Sequence, residues 1–353
     1  MGNSKILRGL TMFMASCAAV IGMVSIVHRT GGYVSGEVAK TSQAKIVTAA
    51  ESSTTVQTAE KVSTSGQEKS TQKTSETKQS KSNTTQPTTS NGKNYPVIEK
   101  QFGADGITYD NFSVKNYTDF NLNVADELKK NLGFKIDNSH KVQVLIFHTH
   151  TCESYLTDDT GYYPADYYPR STEKDKNITS VGDKIEAQLK NAGIGVIHDK
   201  TFHDYPSYNG SYERSYNTIQ KYMKKYKDIK VVLDIHRDAI GGGGEDGKVK
   251  PVFEYNGKKC AQVMIMTGYS YEGGGYFPFW EENLCFALKL QQTAETMYPG
   301  LTRPLNFGEY TYNLNVCNGS LLIEFGTDVN TIDEAQRSGT MMGKALAKVL
   351  QNS

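Results

Sequence analysis

From Ser63 to Asn94 the chain carries no aliphatic or aromatic side chain, only Ser, Thr, Lys, Gln, Glu, Asn and scattered Gly and Pro. Such a stretch cannot bury enough apolar surface to offset its ordering entropy, so no core is built across it. Whatever folds in this 353-residue chain must fold after it. What precedes it is of the opposite character. Gly9 to Val27 runs without a charge between Lys5 and Arg8 on one side and His28 and Arg29 on the other. That is close to the ~20 residues that cross a bilayer as a helix, and it predicts an uncleaved anchor over residues 1–29 with the short N-terminus cytoplasmic. Residues 30–97 are then expected as a disordered tether with a reach of roughly 40 to 50 Å. A single extracytoplasmic domain over 98–353 follows, on a single-pass membrane protein.

Lys+Arg 39 against Asp+Glu 38 leaves a net charge of +1, so no basic field points to nucleic acid. The cysteines at 17, 152, 260, 285 and 317 are odd in number and form no CxxC pair, which excludes a disulfide framework.

Beyond residue 98 the periodicity alternates. Asn121–Leu132 has helical spacing, Val142–Phe147 is a short apolar strand, and Asn177–Ala192 is an amphipathic helix closed by Gly193. Strands then follow at 195–197, 230–235, 261–268 and 320–323, with helices over 215–226, 282–297 and 334–350. Alternating strands and helices predict an α/β fold with a mostly parallel central sheet covered on both faces.

In such sheets ligands bind outside the carboxyl ends of the strands. Three apolar runs end on chemistry-bearing residues: Val142–Phe147 on His148, His150, Cys152 and Glu153; Lys230–Ile235 on His236, Arg237 and Asp238; and Leu321–Ile323 on Glu324. Two histidines and a carboxylate suit a three-ligand zinc site with an open position, and a second carboxylate could take a proton from water. Cys152 beside a histidine offers a thiol alternative, but one that leaves His236 and Glu324 without roles. Arg237 is expected among the catalytic groups, orienting a substrate carboxylate, with pairing to Asp238 as its plainer role. The glycines at 241–244 lack the lysine and strand–turn–helix setting of a phosphate loop.

Read position by position, Val144-Leu-Ile-Phe-His-Thr-His150 resembles the first histidine strand-end of zinc-dependent N-acetylmuramoyl-L-alanine amidases, Asp234-Ile-His236-Arg-Asp-Ala239 their second, and Leu322-Ile-Glu324-Phe-Gly-Thr-Asp-Val-Asn330 their glutamate segment. The apolar N-terminal run, the low-complexity stalk and His148-Thr-His150-Thr-Cys-Glu153-Ser-Tyr resemble more closely the stage II sporulation protein P family, over about residues 98 to 350. The resemblance implies a zinc-dependent peptidoglycan hydrolase that removes stem peptides, also cuts crosslinks, and acts in engulfment during sporulation. It implies His150 and His236 as zinc ligands and Glu324 as general base. Glu173-Lys-Asp-Lys-Asn177-Ile matches the amidase pattern that holds the third ligand, so Glu173 is expected in that place and Glu153 is the alternative. His148-Thr in place of Ala-Gly leaves a role open for His148. Peptidoglycan, the membrane, and the stage II sporulation proteins D and M are the partners the resemblance implies. A wall-binding protein of the same fold without catalysis is the competing class.

Overall fold

The computed structural model describes residues 92–137, 139–271 and 276–353. The expected anchor and nearly all of the expected tether lie outside the described residues. Among these residues no helix is long and apolar enough to cross a membrane.

In chain order the strands are β1 (Asn94–Lys100), β2 (Ile107–Tyr109), β3 (Phe112–Asn116), β4 (Val142–Phe147), β5 (Tyr162–Pro164), β6 (Gly195–His198), β7 (Val231–Asp238), β8 (Lys248–Tyr255), β9 (Lys258–Ala261), β10 (Val263–Gly268), β11 (Leu305–Gly308) and β12 (Gly319–Thr327). The helices are α1 (Val124–Lys129), α2 (Thr179–Asn191), α3 (Ser211–Lys225), α4 (Trp280–Met297) and α5 (Ile332–Gln351). Strand β1 begins slightly ahead of residue 98. The last helix opens on a capping box, in which Thr331 accepts from the Glu334 amide while the Glu334 side chain receives the Thr331 amide. That closes two of the orphan donors every helix start leaves.

Eight strands form one sheet in the order β2-β3-β11-β10-β12-β7-β4-β6, and β5-β1-β8-β9 form a second. The expectation of a mostly parallel sheet is corrected here, because both sheets are mixed. Strands β12, β7, β4 and β6 run parallel, but β10 lies antiparallel to β12, with Met264 opposite Glu324. The cause is local. Asn256 and Gly257, at φ 50° and 70°, close a two-residue hairpin between β8 and β9, the turn that Asn-Gly favours. The chain thus re-enters the large sheet reversed, with no helix between.

Alternation along the central strands splits the core. Val144, Ile146, Leu233, Ile235 and Ile323 face the layer that includes Val181 and Ile185 of α2, Phe286 of α4 and Leu346 of α5. Leu145, Phe147 and Val232 face Ile219 of α3 on the other side, where Met264, Met266 and Leu322 pack with Phe277 and Leu314. Helices α2 and α5 approach closely where Gly339 stands, since a Cβ there would lie 2.9 Å from Val181 Cγ1. Asp234, His236 and Glu324 share the second face, away from α2 and α5, by the same alternation.

Candidate active site

Strand β4 stops at Phe147 and the chain turns through residues 149–152, so His148 and His150 part company. His150 is buried, stacked on Tyr208 at 4.5 Å between ring centroids and edge-on to His236 at 5.3 Å. Its Nε2 lies 3.1 Å from the Tyr208 hydroxyl and its Nδ1 3.4 Å from Ser211 Oγ. Tyr208 is itself covered by the Arg170 guanidinium at 4.6 Å. Burial lowers the His150 pKa to about 4, so the ring is neutral near pH 7 and keeps a lone pair for a ligand or proton.

His236 Nδ1 faces Glu153 Oε2 at 3.5 Å, and its Nε2 lies 2.8 Å from Asp234 Oδ1. That second contact is off-line, so the buried Nε2 makes no hydrogen bond. Asp234 is fixed by Thr149, whose backbone N–H and Oγ1 donate at 2.8 and 2.6 Å. Burial pulls the His236 pKa down, but Asp234 and Glu153 prevail and hold it well above the usual histidine range. For Glu153 burial acts upward, and the His236 and Arg237 charges outweigh it, holding the carboxyl well below its usual range. The His236 imidazole thus lies between two carboxylates, Asp234 on its Nε2 side and Glu153 on its Nδ1 side, whose charges hold its proton.

Glu324 pairs in register with His236 across β12 and β7. It is 4% exposed, and its Oε2 has no hydrogen-bond partner. Burial, reinforced by the Asp238 carboxylate, pushes its pKa up to about 8 against the pull of His236. A carboxyl poised near neutrality and unengaged is suited to move a proton.

Glu173 is not brought to this cluster. Its side chain is 60% exposed and paired with Lys176 Nζ at 2.6 Å, in the turn ahead of α2. Glu153 stands where that third carboxylate was expected. Arg237 is placed facing away from the cluster. Its neighbour His236 faces the site, so strand alternation turns Arg237 away, and its guanidinium donates to the carbonyls of Ser154 at 3.2 Å, Pro169 at 2.6 Å and Asp238 at 3.4 Å. Its backbone N–H donates to Glu153 Oε2 at 3.1 Å. Arg237 therefore clamps the segment that carries Glu153, reaching the site only through its backbone N–H. Arg237→Ala is expected to lower stability by about 2–4 kcal/mol, since it strands buried carbonyls; a melting midpoint unchanged from wild type contradicts this role.

His148 is fully buried on the α2 side. Its Nδ1 donates to the Ile235 carbonyl at 2.8 Å, and its Nε2 meets His198 Nε2 at 2.7 Å. Asp183, Glu186 and His198 converge closely enough to hold a cation, although Lys200 sits on Asp183 and Lys190 on Glu186. Burial and the Asp204 carboxylate push the Cys152 thiol up to about 12, so it is no thiolate nucleophile near neutral pH. Asp238 pairs with Arg303 at 2.9 Å. In the aromatic segment, Tyr163 is buried against Tyr95 and Tyr167. Neither Asp234 nor Tyr208 stands out in the sequence as a site residue. Asp234 sits two residues before His236 and so shares its strand face, which alternation alone could have flagged; nothing in spacing points to Tyr208.

The donor types of His150, Glu153 and His236, two imidazoles and a carboxylate, suit zinc, although among the described residues only Asp183, Glu186 and His198 have ligand atoms already drawn together. The buried His236 Nε2 and Glu324 Oε2, both without hydrogen bonds, are unspent polar groups of the kind such a centre organises.

A family model described as Stage II sporulation protein P matches residues 23–347. The Stage II sporulation protein P of Bacillus subtilis (strain 168) is 30% identical over 229 residues, covering 61% of this chain and 52% of that protein. The chain thus spans about half the length of the curated relative it matches. Among solved structures, the N-acetylmuramoyl-L-alanine amidase AmiC2 of Nostoc punctiforme aligns with a TM-score of 0.35 at 13% identity, over 60% of this chain and 96% of that one. The CwlD amidase from Clostridioides difficile, in complex with the GerS lipoprotein, aligns with a TM-score of 0.35 at 13% identity, over 60% of this chain and 100% of that one.

Proposed function

Because the chain belongs to the stage II sporulation protein P family, we propose that it is a peptidoglycan hydrolase of sporulation, a zinc-dependent N-acetylmuramoyl-L-alanine amidase that also cuts peptide crosslinks. The observation that carries the reading is the placement of His236, edge-on to His150 and 3.5 Å from Glu153, next in register to Glu324, a buried carboxylate with a free oxygen and a raised pKa. His150, Glu153 and His236 would hold the zinc, which when bound supplies Lewis acidity toward an amide carbonyl.

The protein's own groups supply the rest. Glu324, one strand from His236, takes a proton from the attacking water and returns it to the departing amine. The Asp234–Thr149 bonds keep Asp234 in place, and its charge attracts the His236 imidazole at 2.8 Å. Tyr208, 41% exposed over the His150 ring, shields one side of the site from bulk water. In the cell the domain would work on peptidoglycan outside the membrane, held by an N-terminal anchor, with the stage II sporulation proteins D and M as partners.

The test uses the full chain on purified peptidoglycan, with released amino groups as readout. A chelator is expected to abolish release and added zinc to restore it, whereas a thiol-alkylating agent leaves the rate within about twofold, as the unreactive Cys152 thiol requires. Binding to the wall without any release, with or without zinc, would instead identify a non-catalytic wall protein.

A further inference from the structure

One sheet face carries His236, then Glu324, then Met264 as neighbours across β7, β12 and β10. Met266, two residues on, is paired with Asn306 of β11, so Asn306 continues the same face. Met264 and Asn306 line a cavity of about 240 Å³ whose walls include Lys100, Phe102, Lys115 and Arg303. This cavity begins one strand beyond Glu324.

Arg303 is the unusual group in it. The residue is 2% exposed, and Nη2 donates to Asp238 Oδ2 at 2.9 Å, but Nε is buried without a hydrogen-bond partner. The Phe102 ring lies 5.7 Å from the guanidinium. A buried guanidinium N–H left unpaired is costly, and a guanidinium presents its donors in a fork that matches a carboxylate. On the cavity's rim Asp105 pairs with Lys115 and Arg303 is itself held by Asp238, so Lys100 leaves the lining net positive. Nothing in the proposed chemistry uses this arginine.

We infer that the cavity is a carboxylate-binding subsite, in which Arg303 receives a free carboxylate of the peptide being cut while Asp238 holds the guanidinium in place. The inference rests on the peptidoglycan reading, since it is the stem peptide that brings free carboxylates within one strand of Glu324. It makes Arg303 a specificity residue that contacts substrate away from the scissile bond.

The experiment compares a muramyl tripeptide carrying free carboxylates with the same compound fully amidated, on the full-length zinc-loaded protein. Wild type is expected to show a KM at least about tenfold lower for the free acid at similar kcat. Arg303→Lys should lose most of that preference and Arg303→Gln all of it, with zinc content unchanged. Because the first comparison alters only the substrate, it holds even if an Arg303 variant fails to fold. Equal KM values for acid and amide in wild type overturn the subsite. If wild type cleaves neither compound, the hydrolase reading fails by itself; calorimetry then decides the subsite, which stands if the free-acid peptide binds at least tenfold tighter than the amide and falls if the two bind alike.

Discussion

Glu324→Gln is expected to lower kcat on muropeptides by about 10²–10⁴-fold, the usual worth of a positioned general base, while zinc content stays at the wild-type level. The substitution keeps the shape of a side chain that is 4% exposed and removes only its ability to carry a proton. A second readout separates a dead enzyme from an unfolded one. With its pKa raised to about 8 from an ordinary 4.5, Glu324 binds more proton in the folded than in the unfolded chain between those values. Its contribution therefore favours folding below about pH 4.5 and is lost as pH rises to about 8. In metal-free protein the glutamine variant lacks that loss, so its melting midpoint should rise relative to wild type between pH 5 and 8. A fully active Glu324→Gln enzyme would falsify the assignment of the base.

Glu153→Ala should weaken zinc binding more than about 100-fold, beyond what loss of an outer-shell partner costs, and should abolish hydrolysis with it. Glu173→Ala should bind zinc as wild type does. The contrast follows from placement: Glu153 lies 3.5 Å from His236 Nδ1, whereas Glu173 is 60% exposed on Lys176. Metal analysis of the two purified variants reads the difference directly. Zinc retained in Glu153→Ala and lost in Glu173→Ala would return the ligand to the position that motif matching suggested.

Those two glutamates mark where the sequence is legible and where it is not. Val142–Phe147 has the same limits in pattern and in structure, because a fully buried strand is apolar throughout. The meeting of His236 and Glu324 was legible as well, since both follow apolar runs and such strands tend to lie side by side in one sheet. The fate of Glu153 was not. It depends on the turn after Phe147 folding back against Arg170 and Asn177, where isolated bridges join Glu153 to Arg170 and Ser154 to Asn177, and no periodicity records such a turn. The orientation of Arg237 and the antiparallel entry of β10 are a different case: strand alternation and the Asn256-Gly257 pair carried both signals. The short strands β2, β5 and β11 have too few residues to show a period.

Strand β1 also bears on how the domain takes load. Among the described residues it is the first element, and it pairs in parallel with β8 from Val97 to Lys100. Under the N-terminal anchor proposed above, tension would enter β1 through Asn94–Pro96, paired with β5, and then load the β1–β8 bonds together in shear instead of opening them one at a time from an end. The hairpin from β8 into β9, and the chain onward into β10, would then link that load to the strand beside Glu324.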